Sequence, residues 1–162
     1  MKRYDAYCGL YCGACFVLQG LREKKNEEMS KIWNIKIEDL ECKGCKSKTV
    51  FLGCRGCSIR ACAQEKGYEF CYECDQYPCE QIEKLPTYFP HLKDVMNNLE
   101  AIKLQGKNKW LFEQEERWKC PNCHEKLAFY QKYCKVCHTK VKPYYPNSAV
   151  LERFQLEKLN LL

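Results

Sequence analysis

The sequence predicts a small α+β protein in four parts: an irregular, mainly helical cysteine-rich domain, a helical linker, a β-hairpin ribbon and a helical tail. Three observations predict it. Fifteen of 162 residues are cysteine, near the density at which cysteine rather than an apolar core builds the scaffold. Most of these cysteines fall in Cys-x-x-Cys pairs, eleven of them before residue 85 and four after residue 119. The stretch between, residues 86–118, has no cysteine and shows helical periodicity instead.

Cysteines at this density staple a fold either as disulfides or as metal thiolates, according to the redox compartment. The chain opens Met1-Lys2-Arg3-Tyr4-Asp5 and soon meets cysteines, without the apolar stretch of an export signal. No run approaches the roughly 18 apolar residues of a membrane span. A cytoplasmic setting is expected, with no membrane partner and with metal thiolates in place of disulfides. The formal charge of +6 counts every thiol as neutral. Metal-bound thiols are deprotonated, so a zinc or a four-iron cluster held by four thiolates carries a net charge of about −2. Three or four such sites would cancel most of the lysine excess. A general electrostatic nucleic-acid binder is therefore disfavoured, while a local basic patch stays open.

Residues 1–85 form the cysteine-rich domain. Cys8-x3-Cys12-x2-Cys15 comes first, followed by a helix expected from Phe16 to Trp33. Its apolar positions Val17, Leu18, Leu21, Met29 and Ile32 recur at helical spacing among charged residues. Cys42-x2-Cys45 follows, then two copies of Cys-x2-Cys-x4-Cys: Cys54, Cys57, Cys62 and Cys71, Cys74, Cys79. Each member of the second copy lies 17 residues after its counterpart, which suggests interleaved half-sites in equivalent local frames. Short helical turns are expected after Cys57 and Cys79. Eleven ligands are one short of three four-cysteine sites. A water, a bridging thiolate or a carboxylate (Asp5, Glu73 or Asp75) could fill the gap. Two sites plus three ordinary buried cysteines fit equally well. Zinc is favoured as the cofactor, with an iron–sulfur cluster as the alternative in this region, since both accept all-cysteine ligation. The Cys8–Cys12–Cys15 triad also has radical-SAM spacing, but no βαβ units accompany it.

Residues 86–118 form the helical linker. Pro90 suits a first helical position, Leu92, Val95, Met96, Leu99 and Ile102 make a three-four stripe, and Gly106 punctuates before a charged helix from Lys107 to Trp118. Residues 119–142 form the ribbon. Cys120-Pro-Asn-Cys123 and Cys134-Lys-Val-Cys137 are separated by ten residues, the pattern of two knuckles supplying four sulfurs to one tetrahedral zinc. Leu127, Phe129 and Tyr133 are expected to form the inward face of a hairpin. Both knuckles are followed by histidine, matching the Cys-x-x-Cys-His haem-attachment motif. His124 and His138 read more simply as surface residues in a place often taken by glycine. In the tail, residues 143–162, Asn147 or Ser148 is expected to cap a helix presenting Leu151, Phe154, Leu159 and Leu162. It would cover the ribbon, cover the linker or mediate self-association.

Cys8-Gly-Leu-Tyr-Cys12-x2-Cys15, Cys57-Ser-Ile-Arg-x-Cys62-Ala-x2-Lys-Gly, Cys71-x-Glu-Cys74 and Tyr77-Pro-Cys79 together resemble a prokaryotic cysteine-rich family of unknown function. Some members of that family end similarly to Gly106, Trp110, Trp118 and Cys120 onward, so the resemblance spans about residues 4–140. It implies metal binding in a prokaryotic cytoplasm and carries no activity. Cysteine catalysis would need a base beside a free thiol, and no histidine lies within the first 85 residues. His91, after Pro90, reads as an exposed cap-region residue. The tyrosines threaded through the region, Tyr4 to Tyr77, read as packing that shields metal rather than as a base-stacking platform. The expected function is a zinc-binding module of regulatory or scaffolding type rather than an enzyme, with protein and nucleic acid both open as partners. Iron–sulfur redox or sulfur handling is the alternative.

Overall fold

A computed structural model describes residues 4–162; the basic start Met1-Lys2-Arg3, part of the export-signal reading above, lies outside the described residues. Among the described residues the protein is helical. Helices α1 (Phe16–Arg22), α2 (Asn26–Trp33), α3 (Leu52–Arg55), α4 (Ser58–Glu65), α5 (Glu80–Tyr88), α6 (Val95–Gln105), α7 (Lys107–Arg117) and α8 (Ser148–Phe154) are joined by 3-10 turns and cysteine loops. No described helix is long and apolar enough to cross a membrane.

The α+β class with a β-hairpin ribbon is corrected by this structure: only isolated bridges occur, among them Lys119–Lys126 and Tyr133–Lys140. The reason lies in the residues between the knuckles. Leu127, Ala128, Phe129, Tyr130 and Gln131 are all buried in succession, whereas a hairpin strand buries alternate residues. Tyr133, expected to face inward, is 54% exposed. The backbone groups also go elsewhere. Phe129 N–H donates to the Ala14 carbonyl (2.9 Å), and Tyr144 N–H donates to the Phe129 carbonyl (2.7 Å). The segment is a plug driven into the core, with its polar backbone satisfied by residues far away in the chain.

The single helix expected over residues 16–33 is two. The chain turns at Glu23–Lys25, with Lys24 at a positive φ of 57°, and α2 folds back so that Met29 lies against Gly20. A Cβ on Gly20 would stand 2.4 Å from the Met29 sulfur, so this close approach depends on glycine. The 17-residue repeat does not produce equivalent frames. After Cys57, Ser58-Ile-Arg-Ala carries no helix breaker and α4 begins at once, enclosing Cys62. After Cys74 the chain runs through Tyr77-Pro78, and α5 starts only beyond Cys79. Proline has no N–H to donate, so after the 3-10 turn Cys71–Glu73 no α-helix forms before the last cysteine of the second copy.

One core joins the segments. Phe16 of α1 meets Phe154 of α8 at 4.8 Å between ring centroids, and Trp33 of α2 lies 5.7 Å from Phe154. Trp33 Nε1–H also donates to the Phe154 carbonyl (2.6 Å). Leu156, Leu159 and Leu161 are fully buried beyond it. The tail thus packs on the first region. In the linker, Leu92, Val95, Leu99 and Ile102 of the expected stripe are buried, and Met96 is at its margin.

Candidate metal centre

The two knuckles of the C-terminal region close independently and in the same way. Cys120 N–H donates to the Glu125 carbonyl (2.8 Å) and His124 N–H to the Cys120 carbonyl (2.9 Å). In the second, Cys134 N–H donates to Thr139 (2.8 Å) and His138 N–H to Cys134 (2.9 Å). Each loop must turn back after its second cysteine. The turning residues His124 and His138 take positive φ values of 59° and 58° with exposed side chains, which is why glycine suits such a position.

This mutual closure brings the sulfurs of Cys120, Cys123, Cys134 and Cys137 within 4.8 Å of one another. Cys120 and Cys137 stand 3.4 Å apart, as do Cys123 and Cys134, and all four are free thiols. A tetrahedral shell with metal–sulfur bonds near 2.3 Å has edges of about 3.8 Å, so the four atoms already outline one. The first cysteine of each pair is fully buried and the second partly so. Four sulfurs converging on one point leave no room for two haems on separate pairs. The Thr139 hydroxyl, 3.2 Å from the Cys137 sulfur, together with the Asn122 side chain and the Thr139 N–H, lowers the Cys137 pKa. A thiolate at neutral pH is the form that binds metal. These four residues could hold a metal ion.

The eleven cysteines of the first region are distributed differently, and among the described residues none of them falls within a group of three or more ligands as close as the C-terminal four. Two hollows collect most of them. A cavity of about 150 Å³ is lined by Cys12, Cys15, Cys42, Cys45 and Cys54, with Phe16, Phe51, His91, Phe129 and Phe154. A smaller one of about 40 Å³ is lined by Cys62, Cys71, Cys74 and Cys79, with Tyr68 and Tyr77. Cys62 of the first repeat copy therefore joins all three members of the second. Cys8 and Cys57 line neither hollow: the Cys8 thiol feels Cys45, Cys71 and Cys57, and Cys57 borders a further hollow with Trp33 and Phe51. Burial, then neighbouring sulfurs, pushes Cys71 up to about 12. Burial likewise raises Cys15 to about 11, against N–H groups of Val17 and Leu18 aimed at its sulfur. A cation placed among these groups would reverse that preference for the neutral thiol.

Two of the three carboxylates offered as extra ligands are engaged. Asp5 pairs with Lys46 at 2.8 Å, both side chains nearly fully buried. Glu73 accepts the N–H groups of Glu69 (2.9 Å) and Phe70 (3.2 Å). Asp75 is exposed.

Position in the first loop rests on Gly9. Its φ is +81°, and a Cβ there would lie 2.7 Å from the Val95 carbonyl oxygen on α6. The Asn98 side-chain amide donates to the Gly9 carbonyl (2.9 Å), fixing the Cys8–Cys12 turn to that helix. His91 was missed as a site residue. It is not an exposed cap but a half-buried ring stacked between Phe89 (5.6 Å) and Phe129 (4.8 Å) and bonded to the Tyr130 hydroxyl. Burial depresses its pKa to about 3.

Comparison with curated proteins and with solved structures finds no match to this chain. A family model described as a protein of unknown function, DUF3795, matches residues 4–84, from the first cysteine loop into α5, and stops before the linker and the knuckle pair. That match spans half of the chain and holds all eleven N-terminal cysteines, so the protein belongs to the DUF3795 family.

Proposed function

We propose that the protein is a zinc-binding module of regulatory or scaffolding type, with Cys120, Cys123, Cys134 and Cys137 holding one structural zinc. The observation that carries this reading is the closed set of four sulfurs. All are cysteine, which suits a borderline-soft ion, and four thiolates fill the tetrahedron with no position left for a water. A closed site of that kind stabilises a fold rather than performing hydrolysis.

A broad groove of about 610 Å³ beside the first knuckle supports a docking role for this end of the molecule. Trp118, Pro121 and Leu127 line it together with Arg117, Lys119, Lys140 and Lys142. Arg117 and Lys119 have carboxylate partners in Asp94 (2.9 Å) and Glu116. The mixed lining fits an acidic protein segment as well as a nucleic acid, and both stay within the proposal.

The test is elemental analysis of protein purified without added metal, alongside Cys134→Ser. The wild type is expected to hold zinc, and the variant to lose one equivalent while thiol probes begin to react at Cys120, Cys123 and Cys137. A wild type whose knuckle sulfurs react freely, or a variant that keeps its full zinc, would overturn the proposal.

A further inference from the structure

We infer that the cavity between the Cys12–Cys15 and Cys42–Cys45 pairs is the seat of a polynuclear iron–sulfur cluster, chemically distinct from the site in the knuckles. The chain contains its own comparison. Two Cys-x-x-Cys pairs meet in each place. At Cys120–Cys123 and Cys134–Cys137 they close until all sulfurs lie within 4.8 Å, the spacing for a single ion. At Cys12–Cys15 and Cys42–Cys45 no such closure occurs, and the pairs instead border about 150 Å³ of space. That space equals about five liquid-water volumes, far more than one ion needs within a shell of four sulfurs. A cluster needs the separation, because its cysteines bind two or more irons and inorganic sulfide bridges those irons in the middle.

The surroundings agree with that occupant. The ligand set is cysteine only, as iron–sulfur clusters prefer. The remaining lining is mainly apolar, with Phe16, Phe51, Phe129 and Phe154 beside Leu10, Val17, Leu18 and Val50 and with Arg153 as its one charged residue, and such walls limit the access of water to a group that hydrolyses when solvated. Backbone N–H groups point at the sulfurs: that of Cys45 at Cys12, that of Tyr7 at Cys45, and those of Val17 and Leu18 at Cys15. Such bonds spread the negative charge of cluster thiolates and are one of the levers on their potential. Cys54, exposed at the rim, supplies a fifth thiol. The inference does not depend on zinc in the knuckles.

The experiment is anaerobic purification of the full chain, then reconstitution with ferrous iron and sulfide, reading iron, acid-labile sulfide and visible absorption per chain. Iron and sulfide in equal amounts, with broad visible absorption, are expected. Cys42→Ser should lose at least half of both, whereas Cys134→Ser should retain both and lose only the knuckle metal. Wild-type protein that takes up no sulfide would overturn the inference whatever the variants do. So would a loss of sulfide in Cys134→Ser equal to that in Cys42→Ser, which would put the cluster in the knuckles and sink the zinc proposal as well.

Discussion

Gly9→Ala tests whether the Cys8–Cys12 turn depends on its seat against α6. Two costs arise at this position and can be separated. The first is conformational: at φ +81° an alanine sits in left-handed space, which costs about 1–2 kcal/mol. The second is steric. The new Cβ would lie 2.7 Å from the Val95 carbonyl oxygen and 2.9 Å from Leu99 Cγ. The first is backbone and the second belongs to a fully buried side chain, so neither can withdraw cheaply. Overpacking of this kind costs about 1–3 kcal/mol. Together they predict a loss of about 2–5 kcal/mol. Gly67→Ala provides the control, since its φ is +72° but nothing lies within 4 Å of the added Cβ. It should lose only the conformational part. Urea unfolding of metal-loaded, reduced protein, followed by far-ultraviolet circular dichroism and tryptophan fluorescence together, gives both values. Equal losses in the two variants, or a Gly9→Ala loss below about 0.5 kcal/mol, would refute the seat on α6.

Two further predictions follow from the aromatic wall. The His91 pKa is depressed to about 3 by burial, so the folded state prefers the neutral ring. The unfolded chain takes up a proton as pH falls below about 6.5, so wild-type stability should be complete above that pH and fall progressively toward pH 3. His91→Phe should show a shallower stability slope between pH 6.5 and 5 by equilibrium unfolding, the metal-linked part of the slope being common to both proteins; parallel slopes would contradict the burial. Phe154→Ala removes a ring 8% exposed and packed on Phe16 and Trp33, and should cost about 3–5 kcal/mol. Hydrogen exchange should then quicken through residues 148–161; protection equal to wild type would show that the tail is held by something else.

How far the sequence could be read differs by the range of the interaction concerned. The α6 stripe and the Asn147-capped helix are set by neighbours within a few residues, and both are present, with Asn147 accepting the Val150 N–H (3.1 Å). The convergence of the four knuckle sulfurs was legible because spacing alone limits which sulfurs can meet. The hairpin misled because Leu127, Phe129 and Tyr133 suggested alternation, although the unbroken apolar run Leu127-Ala-Phe-Tyr130 was the better guide to a buried plug. His91 carried no local signal: Phe129 and Tyr130, which hold its ring, lie nearly forty residues away. The grouping of the N-terminal cysteines was equally hidden. A Cys-x-x-Cys pair states its own geometry but not its partner, and the break at Lys24, with neither Gly nor Pro, is equally unmarked in the sequence.

The division of labour between the two halves explains why they share one core. The cysteines around the larger cavity all come from residues 12–54, inside the family match, while Phe89, His91, Phe129 and Phe154 on its wall come from beyond residue 84. The first half holds eleven thiols on short loops, and such loops bury too little apolar area to exclude water by themselves. The second half contributes the missing rings from three separate places: the turn before α6, the plug between the knuckles, and α8. Each is anchored near the cysteine loops it covers. Phe129 N–H is bonded to the Ala14 carbonyl between Cys12 and Cys15, Trp33 holds the Phe154 carbonyl, and Lys135 of the second knuckle reaches Glu23 after α1 (2.7 Å). A metal in the knuckles would therefore stiffen the plug that carries Phe129, and through it the wall of the cavity. Loss of knuckle metal should loosen the aromatic wall without removing any cysteine from the cavity, so the wall should become more mobile while the sulfurs of residues 12–54 stay in place.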